Sequence, residues 1–346
     1  MTKTRATLLK NIRLAIIGCG GFVTFHLRAI QDHVPQFEVV ALVDPAREHA
    51  ERLIELDLAD QGTPIYADYA HMLHEVKPEA VIASTPHTLH FRHCYDAISA
   101  GAHVLVEKPM VTDAEHARKL VAHAKRRKRI LQIAIQGTYT DTFAYTRKLL
   151  ADGTIGQLQL VTGVLAQGWM AATAGTWRQD PKLSGGGQLY DSCAHVLSAM
   201  MFLVDSPVRE VFCMTDNRGA KVDINAVAAI KFANGCMGSI TSGGNCPSWR
   251  SHLILQGAGA RVEISPHGGD FLVDSQSWKK PITAVPKGWK IPAVTPIRNF
   301  ADAILGKDQP RCGGRLGILL ADLMDALYES ARTGKVARVT RRAPRE

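Results

Sequence analysis

The first third of the chain alternates short apolar runs with amphipathic segments. The runs Arg13–Ile17, Phe37–Val43, Ala80–Ala83, His103–Val106 and Ile130–Ile135 read as strands. Between them, Val23, Leu27 and Ile30 recur at i, i+4 and i+7. Phe91, Cys94, Tyr95 and Ile98 likewise fall on one helical stripe. Thr112 with Glu115 forms a capping box that opens a further helix, closed by the basic run Lys125 to Arg129. Strands alternating with helices predict βαβ units and a parallel sheet.

After residue 150 the pattern changes. Leu158–Gln167, Val208–Thr215, Asn225–Phe232, Cys236–Ser242, Leu253–Leu255 and Arg261–Ile264 follow one another as strand candidates. Asn234-Gly235 reads as a two-residue hairpin turn between two of them. One helix interrupts, from about Gln188 to Phe202. Leu316, Leu319, Leu320, Leu323 and Leu327 mark a last helix that stops at Gly334. The expected fold class is α/β: an N-terminal doubly wound parallel sheet over residues 1–137, then an α+β domain with a large, mostly antiparallel open sheet over 138–346.

Composition narrows the function classes. The chain has 346 residues, 46% hydrophobic and 21% charged, which suits two ordinary globular cores. Its longest uncharged stretch, Gly153 to Trp177, is too rich in Gln, Thr and Gly to span a bilayer. The net charge is +9, and the last fifteen residues, Arg332 to Glu346, supply +5 of it. The Lys125–Arg129 cluster sits where cations suit the negative end of a helix dipole. Neither a nucleic-acid nor a membrane partner is expected. Seven scattered cysteines without a CxxC pair fit buried thiols in a reducing cytoplasm. Lys3, Arg5, Lys10 and Arg13 precede the apolar run Leu14 to Ile17. That run is too short for the signal-peptide core of about 7–15 residues, so it reads as a strand.

The chemistry begins at IIGCGGF, which puts Gly18, Gly20 and Gly21 between the first strand and the first helix. Glycine permits a tight turn and a close approach to a pyrophosphate, which then faces a helix N-terminus. Asp44 closes the second strand, where a carboxylate accepts hydrogen bonds from adenosine ribose hydroxyls. That acid repels the extra phosphate of NADP and favours NAD. Asp191 and His195 are expected on one helix face at i and i+4, either as a carboxylate orienting an imidazole or as a structural pair. Lys108 ends a parallel strand at the edge where open α/β sheets bind ligands. His87, His90 and His93 suggest zinc, but two histidines on one helical face do not close a site, and no metal is expected. Trp169 and Trp177 flank the loop MAATAGT, where they stack on a sugar ring or fill the core.

Further motifs give a resemblance. ASTPHTLHFRHC follows the fourth strand and VLVEKPM the fifth, and WRQDPKLSGGGQLYDSCAH comes later, with LYESARTGK near the end. Together with the glycine turn, the chain resembles the glucose–fructose oxidoreductase/inositol dehydrogenase (Gfo/Idh/MocA) family over nearly its whole length. The resemblance implies a Rossmann domain joined to an open-sheet domain that mediates homodimers or homotetramers. It implies NAD(P)-dependent oxidation of a hydroxyl of a sugar, cyclitol or related polyol. It maps Gly18, Gly20, Asp44, Thr85, Pro86, His90, Glu107 and Lys108 to the cofactor side. Their neighbours Gly21, Phe22, Val23, Ser84, His87 and Gln136 join that set. It maps Lys108, Asp191 and His195 to catalysis, and adds Trp177 and Arg178 as contacts to nicotinamide or substrate. The chain departs from the family at Val23 and at Gln136-Gly137-Thr138-Tyr139, where many members carry an Asn-x-Arg-type segment. Two other readings of the same fold stay open: a non-catalytic NAD(P)- or sugar-sensing regulator, and an enzyme that uses bound NAD for a net non-redox reaction.

Overall fold

The computed structural model describes residues 11–289 and 295–339. Lys3, Arg5, Lys10 and the basic end from 340 lie outside them. Among the described residues the first sheet has six strands: β1 (Ile12–Ile17), β2 (Phe37–Val43), β3 (Ile65–Tyr66), β4 (Ala80–Ala83), β5 (His103–Glu107) and β6 (Leu131–Ala134). All pair in parallel, in the order β3-β2-β1-β4-β5-β6. The interior strands are apolar on both faces because helices cover both sides. In β1, Leu14 and Ile16 enter one core while Ala15 and Ile17 enter the other. The strand order reverses beside β1, so its carboxyl end, and the glycine turn after it, open onto the crevice where such sheets bind ligands.

The second sheet has eight described strands, in the order β13-β12-β11-β7-β10-β9-β8-β14. They are β7 (Leu158–Ala166), β8 (Val208–Asp216), β9 (Asn225–Phe232), β10 (Met237–Gly243), β11 (Arg250–Gly257), β12 (Arg261–Ile264), β13 (Phe271–Asp274) and β14 (Ala337–Arg338). Only β7 and β10 pair in parallel. The helices Cys193–Val204 and Gly314–Thr333 cover one face. The first is buried nearly all round. The second also packs on the helix Ala114–Arg127 of the first sheet. There Arg118 reaches both carboxylate oxygens of Asp322 at 2.7 Å.

Several local expectations need correction. The helix expected from Gln188 begins at Cys193, so Asp191 lies in the turn before it and does not share a helical face with His195. The reason is tertiary. The Asp223 carboxylate accepts from the backbone N–H of Gly187 at 2.7 Å and of Leu189 at 2.9 Å, and from the Tyr328 hydroxyl at 2.7 Å. A Cβ on Gly187 would lie 1.9 Å from the Asp223 carbonyl oxygen, so the glycine run lets two backbones meet. Thr112 does not cap the helix Ala114–Arg127; Asp113 does, accepting from the His116 N–H at 2.7 Å. Asn234-Gly235 does join antiparallel strands, but within a longer connection between Phe232 and Met237.

The helix Pro296–Ile304 belongs to the first sheet by packing, although it lies far along the chain. Ile297, Phe300 and Ala301 complete the core beneath Leu14 and Ile16, and Phe300 stacks on Phe37 with ring centroids 5.9 Å apart. No described helix is long and apolar enough to cross a membrane. Phe300→Ala removes a fully buried ring from this seam, and should cost about 3–5 kcal/mol of stability by urea unfolding. A cost below about 1 kcal/mol would show that the helix is not part of that core.

Candidate functional site

Two cavities meet along the carboxyl edge of the first sheet, each of about 420 Å³. Gly20, Ser84, Thr85 and Trp177 border both, and Gly18 lines the one beside Asp44. Gly18 adopts φ +93°, and a Cβ there would lie 2.5 Å from the Ser84 carbonyl oxygen. Only glycine lets the ends of β1 and β4 approach this closely.

The first cavity lies against the end of β2. Asp44 closes that strand and is pinned by its own surroundings. Its carboxylate accepts from the Cys19 N–H at 2.9 Å and the Ala46 N–H at 3.0 Å, with His49 Nδ1 3.1 Å away. Arg47 turns to Glu51 at 2.7 Å and leaves the cavity without a nearby cation from that residue. This arrangement suits an adenosine ribose with free hydroxyls and opposes a phosphate there. Pro86, Tyr69 and His93 form the opposite wall. Burial holds the His93 pKa down to about 4, so the ring is neutral. The sequence carried no signal for Tyr69, and it showed His93 only as a metal candidate.

The second cavity is lined by Lys108, Asp191 and His195, with Gly21, Phe22, Glu107 and Arg178 at its border. Lys108 extends from the end of β5 toward the Asp191 turn. Its ammonium donates to Asp191 Oδ1 at 2.9 Å and to the Asp191 carbonyl at 2.8 Å. Asp191 Oδ2 accepts from the Trp169 indole at 2.8 Å and from Arg178 Nε at 3.1 Å. Burial alone would raise the Asp191 carboxyl, but the Lys108 and Arg178 cations hold it well below the usual carboxylate range. His195 lies in the first turn of the next helix. Burial, then the Lys108 charge, pushes its pKa well below 6.5, so the imidazole is neutral.

The three histidines after β4 go to three different partners. His87 meets the Asp191 side: its Nε2 is 3.7 Å from Asp191 Oδ1, its Nδ1 bonds the Ser184 carbonyl at 3.0 Å, and Trp177 packs edge-on against it. His90 is fully buried and spans two backbone carbonyls, Pro109 at 2.7 Å and Thr85 at 2.8 Å. It fixes the loops beneath the cavities and borders neither of them. Of the three, only His93 lines the cavity beside Asp44. Val23 is fully buried and Gln136 lies in a turn outside both linings. Glu107 is locked at 2.6 Å to His26 Nε2, a partner no sequence pattern announced. The bond of Trp169 to Asp191 and the part played by Asp223 were not legible either.

The Gfo/Idh/MocA family model described as "Oxidoreductase family, NAD-binding Rossmann fold" matches residues 12–135, and the model of its C-terminal domain matches residues 143–265. Over 201 residues the chain is 27% identical to a D-glucoside 3-dehydrogenase of Escherichia coli K12, a match covering 57% of this chain and 55% of that protein. The chain thus spans about half the length of that relative. Against a levoglucosan dehydrogenase of Pseudarthrobacter phenanthrenivorans it is 24% identical over 288 residues, covering 74% and 73%. The solved structure of a levoglucosan dehydrogenase in complex with NADH superposes with a TM-score of 0.85 at 20% identity, over 96% of this chain and all of that one. With a parallel sheet, a glycine turn and a cavity beside Asp44 in place, and both family models matched in order, the chain belongs to the Gfo/Idh/MocA oxidoreductases, whose N-terminal domain is an NAD-binding Rossmann fold.

Proposed function

We propose that the protein oxidises a secondary hydroxyl of a sugar, cyclitol or related polyol, with NAD as hydride acceptor and His195 as base. The observation that carries this reading is the convergence of Lys108, Asp191 and His195, from two different sheets, on one cavity beside the glycine turn. Bound NAD would lie along Asp44, Gly18, Gly20, Ser84 and Thr85, and it supplies the electron sink. The protein's own groups do the rest. Neutral His195 accepts the hydroxyl proton. Lys108 polarises the same oxygen and is oriented by Asp191, which stays ionised. Arg178, lying over the Trp177 ring at 4.5 Å, and Trp169 border the space for the sugar. Relatives named for glucosides and levoglucosan support a carbohydrate substrate.

Free aldoses, methyl glycosides, anhydrosugars and cyclitols should be tested with NAD by NADH absorbance, with product analysis for turnovers that leave NAD unchanged. His195→Ala should lower kcat by about 10²–10⁴-fold while NAD still binds. Lys108→Ala should lose turnover and some cofactor affinity. An undiminished kcat in His195→Ala would sink the mechanism and favour a sensor role.

The pH profile carries a second expectation. The base form of His195 is the neutral one, and its pKa lies below the ordinary 6.5. The acid limb of kcat/KM should therefore fall below pH 6.5, and a limb above that value would contradict the assignment.

Assembly follows from the uncovered face of the second sheet. Phe212, Met214, Val227 and Met237 project from neighbouring strands on the side without helices, from 36% to 56% exposed. An apolar patch of this kind marks an interface. We propose that a second copy of the chain covers it, giving a homodimer or homotetramer. Light scattering should return two or four times the monomer mass, and a monomer at micromolar concentration would refute this.

A further inference from the structure

We propose that His267 relays protons between His195 and solvent, a positioning residue that acts through the base and does not touch the substrate. The proposal rests on His195 being the base. During turnover the sugar and the nicotinamide would fill the cavity that His195 lines. A proton accepted there needs an exit on the other side of the ring.

His267 stands on that side. It lies in the connection between β12 and β13 and is surface-exposed. Its ring packs against His195 with centroids 4.8 Å apart and planes at 61°. It does not border the cavity. Two contacts hold it upright. Nδ1 lies 2.9 Å from the hydroxyl of Ser251, which is itself buried. The Trp249 indole packs edge-on, with centroids 4.9 Å apart. The ring thus lies between His195 and the surface, with Nδ1 engaged by Ser251 and Nε2 left to carry a proton. Partial burial and the Lys108 ammonium keep the His267 pKa near 4. At neutral pH it passes a proton onward and does not store it.

The step balances without a further reactant. The substrate C–H bond gives its hydride to NAD, and the O–H proton moves to His195. From there it passes to His267 and on to water or buffer. Each oxidation releases one proton, and both rings return to their neutral forms.

The test uses the full chain, NAD and whichever compound of the panel above the wild type oxidises fastest. His267→Ala removes the ring, and His267→Phe keeps an aromatic ring against His195 that cannot carry a proton. Both should lower kcat by about tenfold or more and change KM by less than about twofold. Added imidazole should restore most of the lost rate to His267→Ala, and little to His267→Phe, whose ring fills the space. It should leave the wild type unchanged. Wild-type kcat in His267→Phe would show that the ring serves packing and overturn the relay. A slow His267→Ala that imidazole does not rescue would overturn it as well. If His267→Ala fails to fold, the kcat of His267→Phe decides alone. The two readings fail separately. Full activity in the His267 variants beside an inactive His195→Ala removes only the relay, whereas an active His195→Ala removes the assignment of the base.

Discussion

A carboxylate taken out of water must be met by cations and hydrogen-bond donors, or it takes up a proton. Asp191 is 5% exposed and meets this demand with groups from both halves of the molecule. Lys108 comes from the end of the first sheet, and Trp169 and Arg178 come from the segment between β7 and the buried helix. Lys108 bonds both the carboxylate and the carbonyl of the same residue, which fixes side chain and backbone together. The cleft between the sheets is held at its floor by this one charge cluster. Removing the Asp191 carboxylate would leave the largely buried Lys108 ammonium without its counter-ion, which costs about 3–5 kcal/mol.

A second buried carboxylate supports the first. Asp223 holds the Gly187–Leu189 backbone and is held in turn by Tyr328 on the last helix. That helix also spans to the first sheet through Asp322 and Arg118. The turn that presents Asp191 therefore rests on the same element that joins the two sheets. Site geometry and the packing between the sheets are coupled through the helix Gly314–Thr333.

The first sheet was legible because its signals are local. Each strand is a short apolar run with its own flanking turn, and the glycine turn and Asp44 lie within a few dozen residues of each other. Lys108, Asp191 and His195 were identifiable as residues, but their arrangement was not. Helical periodicity extended through Gln188 to Tyr190, whereas bonds to Asp223, more than thirty positions away, hold that stretch in a turn. The histidine triplet shows the same limit. Its spacing suggested a metal reading without closing a site, and only the fold shows that His87 turns to Asp191, His90 bridges two carbonyls, and His93 lines the cavity beside Asp44.

The sequence by itself determined the parallel sheet, the glycine turn at its switch point and the acid that closes the second strand, and it singled out Lys108, Asp191 and His195 as candidates. Each of these depends on backbone freedom or hydrophobic periodicity over fewer than about 40 residues. Only the tertiary structure decided that helix Pro296–Ile304 completes the first core, that Glu107 belongs to His26, and that Asp191 is shared by Lys108, Trp169 and Arg178. Those partners come from separate strands, turns and helices. Burial gives the charged and polar ones their strength, since a buried ionised group must find its counterparts wherever the fold brings them.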